Sequence, residues 1–225
     1  MKIFMTIAAV IATWTAIPAT AQNAAADDGT RISIGVTGGT LGIGPEIGVR
    51  VADHFGVRGN ATFLSFSGDY DSDDVTYNGK LKLKSYGVMA DLYPFGSHFR
   101  VSAGARINRN RVDLSATPTG TTEIGGVEYS AAQIGTLSGR GETKKVAPAL
   151  TLGWSGAKRR GFMFGFDAGV LFQGAVRVRE FRATGALAND ATFRANLETE
   201  RRDLQDDVDD YKVYPIMQFA IGYRF

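Results

Sequence analysis

The stretch Leu41-Gly-Ile-Gly-Pro-Glu-Ile-Gly-Val-Arg-Val51 decides the fold. Every odd position (Leu41, Ile43, Pro45, Ile47, Val49, Val51) is apolar, and every even one (Gly42, Gly44, Glu46, Gly48, Arg50) is small or charged. Successive side chains of a β-strand point to opposite faces, so this period of two describes a strand with one apolar face.

The same alternation recurs on both sides of it. Upstream, Arg31 to Thr37 alternates, and Gly38-Gly39 suits the positive φ angles of a hairpin turn into the next strand. Downstream, Phe55, Val57, Ala61 and Phe63 oppose Arg58, Asn60 and Thr62, and Tyr86, Val88, Ala90 and Leu92 oppose Ser85, Gly87 and Asp91. Phe99, Val101, Ala103, Ala105 and Ile107 oppose Arg100, Ser102, Gly104, Arg106 and Asn108, and Leu150, Leu152 and Trp154 oppose Thr151, Gly153 and Ser155. Two more strands follow, Phe162 to Gln173 and Lys212 to Phe225, with Asp167 and Gln173 in the first and Lys212, Gln218 and Arg224 in the second on the polar side. Met89, Met163, Tyr214 and Ile216 are apolar on that side, which a packed interior absorbs.

The connections alternate in length. Asp53-His54, Pro94 to His98 and Gly156 to Arg160 are short, whereas Ser67 to Thr76, Thr117 to Gly141 and Glu180 to Asp210 are long, with Gly38-Gly39 the tight exception on the long side. Short turns on one rim, long loops on the other and an even strand count are the signature of membrane barrels, and closure leaves no backbone group unpaired in hydrocarbon. The expected fold is therefore all-β, an eight-stranded antiparallel up-and-down transmembrane β-barrel. A soluble barrel or sandwich with the apolar face inside has the same periodicity. The small and charged residues on the other face, the aromatics at strand ends and the final Phe225 favour the membrane.

The last long loop changes period. Phe193, Leu197, Leu204, Val208 and Tyr211 fall on one helical face, which predicts a helical insertion over about 191–211. Its apolar stripe must bury on the barrel mouth, on neighbouring loops or on a partner.

The chain opens with Lys2, an apolar run from Ile3 to Ile17, then Pro18 and Ala19-Thr20-Ala21, the order of a secretory signal peptide cleaved after Ala21. Residues 22–225 are then one barrel domain. They contain no second apolar run of helical spanning length. Cysteine is absent, so disulfides and thiolate metal ligands are excluded, and 25 Lys plus Arg against 23 Asp plus Glu give no reason to invoke nucleic acid.

Gly39 to Gly48, Leu81 to Ser85 through Tyr93 to Gly96, Phe99 to Gly104 and Leu204 to Pro215 together resemble a family of small proteobacterial outer-membrane proteins, similar in architecture to OmpA-type and OmpX-type barrels. The closing Gly222-Tyr223-Arg224-Phe225 looks like the C-terminal signature by which the barrel-assembly machinery recognises its clients, with Tyr223 and Phe225 as the signal. The resemblance implies a Gram-negative outer-membrane location, with outer-membrane lipid and lipopolysaccharide as surroundings, and brings no catalytic motif or cofactor.

The polar face gathers Arg31, Glu46, Arg50, Arg58, Asp91, Arg100, Arg106, Asp167, Lys212 and Arg224. An eight-strand barrel is only wide enough for side chains, so these charges are expected to pair into a network that plugs the lumen. His54 and His98 fall at short turns, on the rim away from where a lipid-modifying enzyme would work, and lack a nucleophile and orienting acid. Asp69-Tyr-Asp-Ser-Asp-Asp74 begins like a calcium loop, but Asp74 stands where glycine is required and Lys80 where the bidentate acid belongs. No catalytic, cofactor or metal residue is assigned. A structural or surface-interaction role through the extracellular loops, with a protein partner there as one form of it, leads over a narrow channel or small-solute transporter, and over a lipid-modifying enzyme.

Overall fold

The computed structural model describes residues 31–72, 75–156 and 160–225, so the expected signal peptide with Ala19 and Ala21 lies outside the described residues. In chain order the elements are β1 (Arg31–Gly39), β2 (Gly42–Ala52), β3 (Phe55–Ser72), β4 (Val75–Leu92), β5 (Phe99–Asn108), β6 (Arg111–Pro118), β7 (Thr122–Ile124), β8 (Val127–Tyr129), α1 (Ala131–Ile134), β9 (Leu137–Glu142), β10 (Val146–Ser155), β11 (Gly161–Leu171), β12 (Arg177–Val178), α2 (Ala191–Val208) and β13 (Tyr214–Arg224).

Pairing runs β1–β2–β3–β4–β5–β10–β11–β13 and returns from β13 to β1, every step antiparallel. The sheet therefore closes on itself, and these strands form a barrel. The expected eight strands underestimate the total. The loop after β5 holds β6, β7, β8 and β9, and the loop after β11 holds β12 and α2. Strands β6, β9 and β12 add in that order to the free flank of β4 above the point where β5 leaves it, giving the long loops a sheet of their own.

Two further expectations need correction. Ser67 to Ser72 and Val75 to Thr76 are not loop: β3 and β4 extend through them as two paired 18-residue strands. The first turn lies at Thr40-Leu41, not at Gly38-Gly39, because Gly39 pairs with Gly42, whose φ of 99° takes the strained position. Leu41 thus leaves the outward face and buries in the barrel mouth with Met89, Ala147, Ala149, Leu171 and Ile216.

The two faces of the barrel are inverted relative to a soluble one. Ile34, Ile47, Val57, Val88, Leu152, Phe164 and Phe219 stand exposed on the outside. Ser33, Thr37, Glu46, Arg58, Thr62, Asp91, Arg100 and Asp167 are buried within.

Along β3 and β4 this polarity reverses at one level while the register runs unbroken from Phe55 opposite Leu92 to Ser72 opposite Val75. Up to Phe63 and Tyr86 the outward positions are apolar. Beyond them the same face carries Ser65, Ser67 and Asp69 on β3 and Lys84, Lys82 and Lys80 on β4, while Leu64, Phe66, Leu81 and Leu83 move to the face continuous with the lumen. A strand keeps its parity, so the exchange marks a level at which the chemistry of both faces changes, with Leu64 and Phe66 exposed above it.

The loop layer has its own small core of Ile124, Tyr129, Ile134, Phe193 and Leu197, flanked by Leu137, Phe181, Ala183 and Leu187. Helix α2 starts where Asp190 Oδ1 accepts a hydrogen bond from the Phe193 N–H at 2.9 Å, an N-cap that satisfies an otherwise orphaned donor. It ends at Val208, three residues short of the expected boundary. Phe193 and Leu197 pack on these neighbouring loop elements, but Leu204 and Tyr211 of the same stripe are exposed. Gln205 fixes the second half instead, accepting from Val178 N–H and donating to the Val176 carbonyl.

Candidate functional site

The lumen is organised around Arg58 of β3. Its Nε and Nη2 donate to the two carboxylate oxygens of Asp91 on the adjacent β4, at 2.6 and 3.1 Å. From the same guanidinium Nη1 reaches Asp167 on β11 at 3.0 Å and Glu46 on β2 at 3.5 Å, and Nη2 donates to Ser102 Oγ at 3.2 Å. Arg100 on β5 closes on Asp167 from the other side, with Nε and Nη2 at 3.1 and 2.7 Å. Two bidentate arginine forks thus hold Asp167 and Asp91, the geometry that compensates best for taking such charges out of water.

Small residues make room for it. A side chain at Gly153 would collide with the Asp167 carboxylate and the Arg100 guanidinium, and one at Gly87 with the guanidinium of Arg106. Arg106 has no carboxylate partner within ion-pair distance among the described residues; its Nε and Nη2 donate to Ser85 and Thr62 hydroxyls at 2.9 and 3.3 Å. Towards the short-turn rim, Arg50 donates to the Ser97 carbonyl at 3.2 Å and to that of Asp53, and its guanidinium lies 3.8 Å from the centre of the Tyr93 ring. Arg224 donates to Ser155 Oγ at 3.2 Å.

Of the ten charges read onto the polar face, Glu46, Arg50, Arg58, Asp91, Arg100, Arg106, Asp167 and Arg224 are buried in the barrel. Arg31 sits at the rim and pairs with Asp53 at 3.5 Å. Lys212 is exposed and precedes β13, so it takes no part: the strand begins at Tyr214, after the helix has ended. The hydroxyl and amide members Ser102, Ser85, Thr62 and Asn60 are placed by period two on the face of Arg58 but are not counted in the expected network, which is read from charge alone. Above the network lies a residual cavity of about 20 Å³ bounded by Asn60, Thr151 and the mouth cluster, room for about one water.

On the outside, aromatic residues pair near both ends of the apolar band and also within it, where Phe166 packs on Phe219. Near the short turns Phe95 packs on Phe99, His98 stacks on Trp154, and Tyr223 contacts both Phe162 and Phe225. Near the loops Phe63 meets Tyr86 edge-on at 5.9 Å. From Phe55 to Phe63 the rise is roughly 20 Å for a strand tilted about 40°, close to the height of a barrel's apolar band.

His54 Nδ1 donates to the Tyr93 carbonyl at 2.9 Å and His98 Nδ1 to the Ser155 carbonyl at 2.7 Å, so both serve the backbone of the short rim. The acidic stretch at 69–74 runs up β3 to Ser72 as extended strand, with Asp73 and Asp74 outside the described residues. On the loop sheet, Asp113 is shared by Arg140 and Arg111, and Glu142 by Arg179 and Arg140. Partial burial would raise the Asp113 carboxyl, but the hydrogen bond and charge of Arg140, with Arg111 and Lys82 behind, hold it below the ordinary range. Asp113, Arg140, Glu142 and Arg179 border an open groove of about 910 Å³ lined also by Ser67, Lys80 and Ser138.

Two solved structures share this architecture. CarO2 of Acinetobacter baumannii is similar with a TM-score of 0.59 at 17% identity, over 87% of this chain and 98% of that one. CarO of the same organism is similar with a TM-score of 0.55 at 18% identity, over 86% and 97%. No family model and no curated protein matches. At such identities the likeness is one of fold.

Proposed function

We propose that this chain is an integral outer-membrane β-barrel whose lumen is sealed by its ion-pair network and which acts through the structured layer of loops on one rim. The observation that carries this reading is the inverted polarity of the barrel, with exposed Ile47, Val57, Val88 and Phe164 outside and Arg58, Asp91, Arg100 and Asp167 buried inside. So large an apolar surface is incompatible with water as the only solvent, and the polarity exchange at Phe63 and Tyr86 marks its loop-side edge. The loop rim faces outward in this reading because short turns lie on the periplasmic side.

Sealing by Arg58 argues against a channel, and the placement of His54 and His98 on the short rim argues against lipid modification; no catalysis and no cofactor is assigned. The loop layer is an ordered scaffold of β6, β9, β12 and α2, suited to contact with molecules at the cell surface. The test is planar-bilayer recording on refolded protein that shows heat-modifiable migration on detergent gels. A closed, sealed barrel shifts in migration and gives no discrete openings. Unchanged migration refutes the barrel in the membrane, and stepwise conductance refutes the seal.

A further inference from the structure

We propose that the outward cationic surface at the loop-side edge of the apolar belt, formed by Lys80, Lys82, Lys84 and Arg111, binds the phosphorylated headgroup of a membrane lipid. The inference rests on the membrane reading above and assigns to it a specific lipid site.

Register alone brings these residues together. Lys84 is opposite Phe63, Lys82 opposite Ser65 and Lys80 opposite Ser67, while Lys82 and Lys80 face Arg111 and Asp113 on the other flank. Directly opposed residues share a face with Cβ atoms about 5 Å apart, so Ser65, Lys82 and Arg111 form one row and Ser67, Lys80 and Asp113 the next. Two cations directly opposed, as Lys82 and Arg111 are, repel one another unless an anion lies between them.

Asp113, paired with Arg111 and directly opposite Lys80, and Glu142, directly opposite Arg111, offset only part of this charge. Asp113 and Glu142 are engaged by Arg111, Arg140 and Arg179, and none of the three lysines forms an ion pair among the described residues. The surface therefore carries a cationic surplus beside two hydroxyls, a donor set suited to phosphate oxygens.

Position identifies the ligand as an amphiphile. The Lys84 ammonium lies 5.7 and 5.8 Å from the ring centres of Phe63 and Tyr86, which places the cations at the aromatic level that closes the belt. A phosphate held there has apolar Phe63, Tyr86 and Val88 directly below it for acyl chains, and above it the groove of about 910 Å³, where Arg140, Arg179 and Arg182 stand among Asp69, Asp113, Glu142 and Glu180, for the remaining headgroup. A free phosphate ion would have no use for the apolar half.

The experiment compares the wild-type chain with a triple variant, Lys80→Gln, Lys82→Gln and Arg111→Gln, both inserted in nanodiscs of neutral phosphatidylcholine. The probe is fluorescent lipopolysaccharide, with its dephosphorylated form and inorganic phosphate as the other arms. Wild type should bind the phosphorylated lipid about tenfold or more tightly than the variant does, with a gap that narrows in high salt. The dephosphorylated lipid should bind both equally weakly, and inorganic phosphate should compete poorly. A second variant with Lys80 and Lys82 replaced by Arg should retain binding, which separates loss of charge from loss of fold.

Equal binding by wild type and the triple variant, with both inserted and heat-modifiable, overturns the lipid site and leaves the membrane reading standing. Competition by inorganic phosphate as effective as by the lipid makes it a free-anion site and overturns the assignment. Failure of the wild type to insert refutes both readings together.

Discussion

Arg58 on β3 and Asp167 on β11 join opposite walls of the barrel: four strand steps separate them in either direction around the ring, and Nη1 of one lies 3.0 Å from Oδ2 of the other. Because Arg58 also forks onto Asp91 and Arg100 onto Asp167, the pair is the centre of a cross-braced interior. Replacing Asp167 with Asn leaves two buried guanidinium groups short of a counter-charge and should cost about 3 to 5 kcal/mol. Urea unfolding of protein folded in lipid vesicles measures it, and a loss below about 1 kcal/mol would show the bridge to be incidental.

The polarity exchange along β3 makes a sharper claim about surroundings. Ile47 and Ser67 both point outward, one within the belt and the other beyond its upper edge. Arg at position 47 should cost about 2 to 4 kcal/mol if that site lies near the bilayer midplane, whereas Arg at position 67 should change stability by about 0.5 kcal/mol at most. Single cysteines introduced into this cysteine-free chain supply a second readout. A lipid-soluble maleimide should label position 47 and spare 46 and 67; labelling of 46 from the lipid phase would invert the face assignment.

At the C-terminus, Phe225 N–H donates to the Ile32 carbonyl at 2.9 Å and its ring packs on Tyr223 at 5.1 Å, so the last residue completes the seam between β13 and β1. Transfer of one phenylalanine from lipid contact accounts for only about 1.5 to 3 kcal/mol. Phe225→Ala, or loss of the last three residues, should lower the amount of assembled barrel in cells far more than it lowers stability after refolding in vitro. Equal effects in the two assays would mean that the terminus acts as ordinary packing and carries no assembly signal.

Helix α2 has a pH dependence of defined sign. Glu198 accepts hydrogen bonds from Arg201 at 2.7 Å and Arg202 at 3.1 Å, chiefly the former, which brings its carboxyl down to about 2 from 4.5. A depressed carboxyl contributes stability that is complete above its unfolded value and is lost as pH falls from about 4.5 towards about 2. Amide exchange in α2 should therefore quicken across that window relative to the barrel strands. The quickening should be weaker in Glu198→Gln, and an identical profile in that variant would remove the carboxyl from the explanation.

Sequence was most informative where surroundings are uniform. From Ile43 to Val51 each side chain meets either the belt or the interior, so alternation shows directly, and Arg58, Asp91, Arg100 and Asp167 could be placed on one face from parity. It misled where surroundings change. Leu41 continues the apolar phase of β2 yet buries in the mouth, because the chain turns there. Lys212 continues the polar phase of β13 but lies outside the strand. The adjacent Phe63-Leu64 pair, which breaks the alternation, was the available sign that β3 runs on with its faces exchanged.

By itself the sequence determined the eight strands of the ring, the parity of their alternating parts, most of the residues that line the interior and a helix over about 191–211, because each depends on local periodicity. Only the tertiary structure decided that Arg58 reaches Asp167, that β6, β9 and β12 build a second sheet on β4, and that Lys80, Lys82 and Arg111 share one surface. Those facts depend on which strands become neighbours and in what register, and residues far apart in the chain acquire a common face only once the sheet has closed.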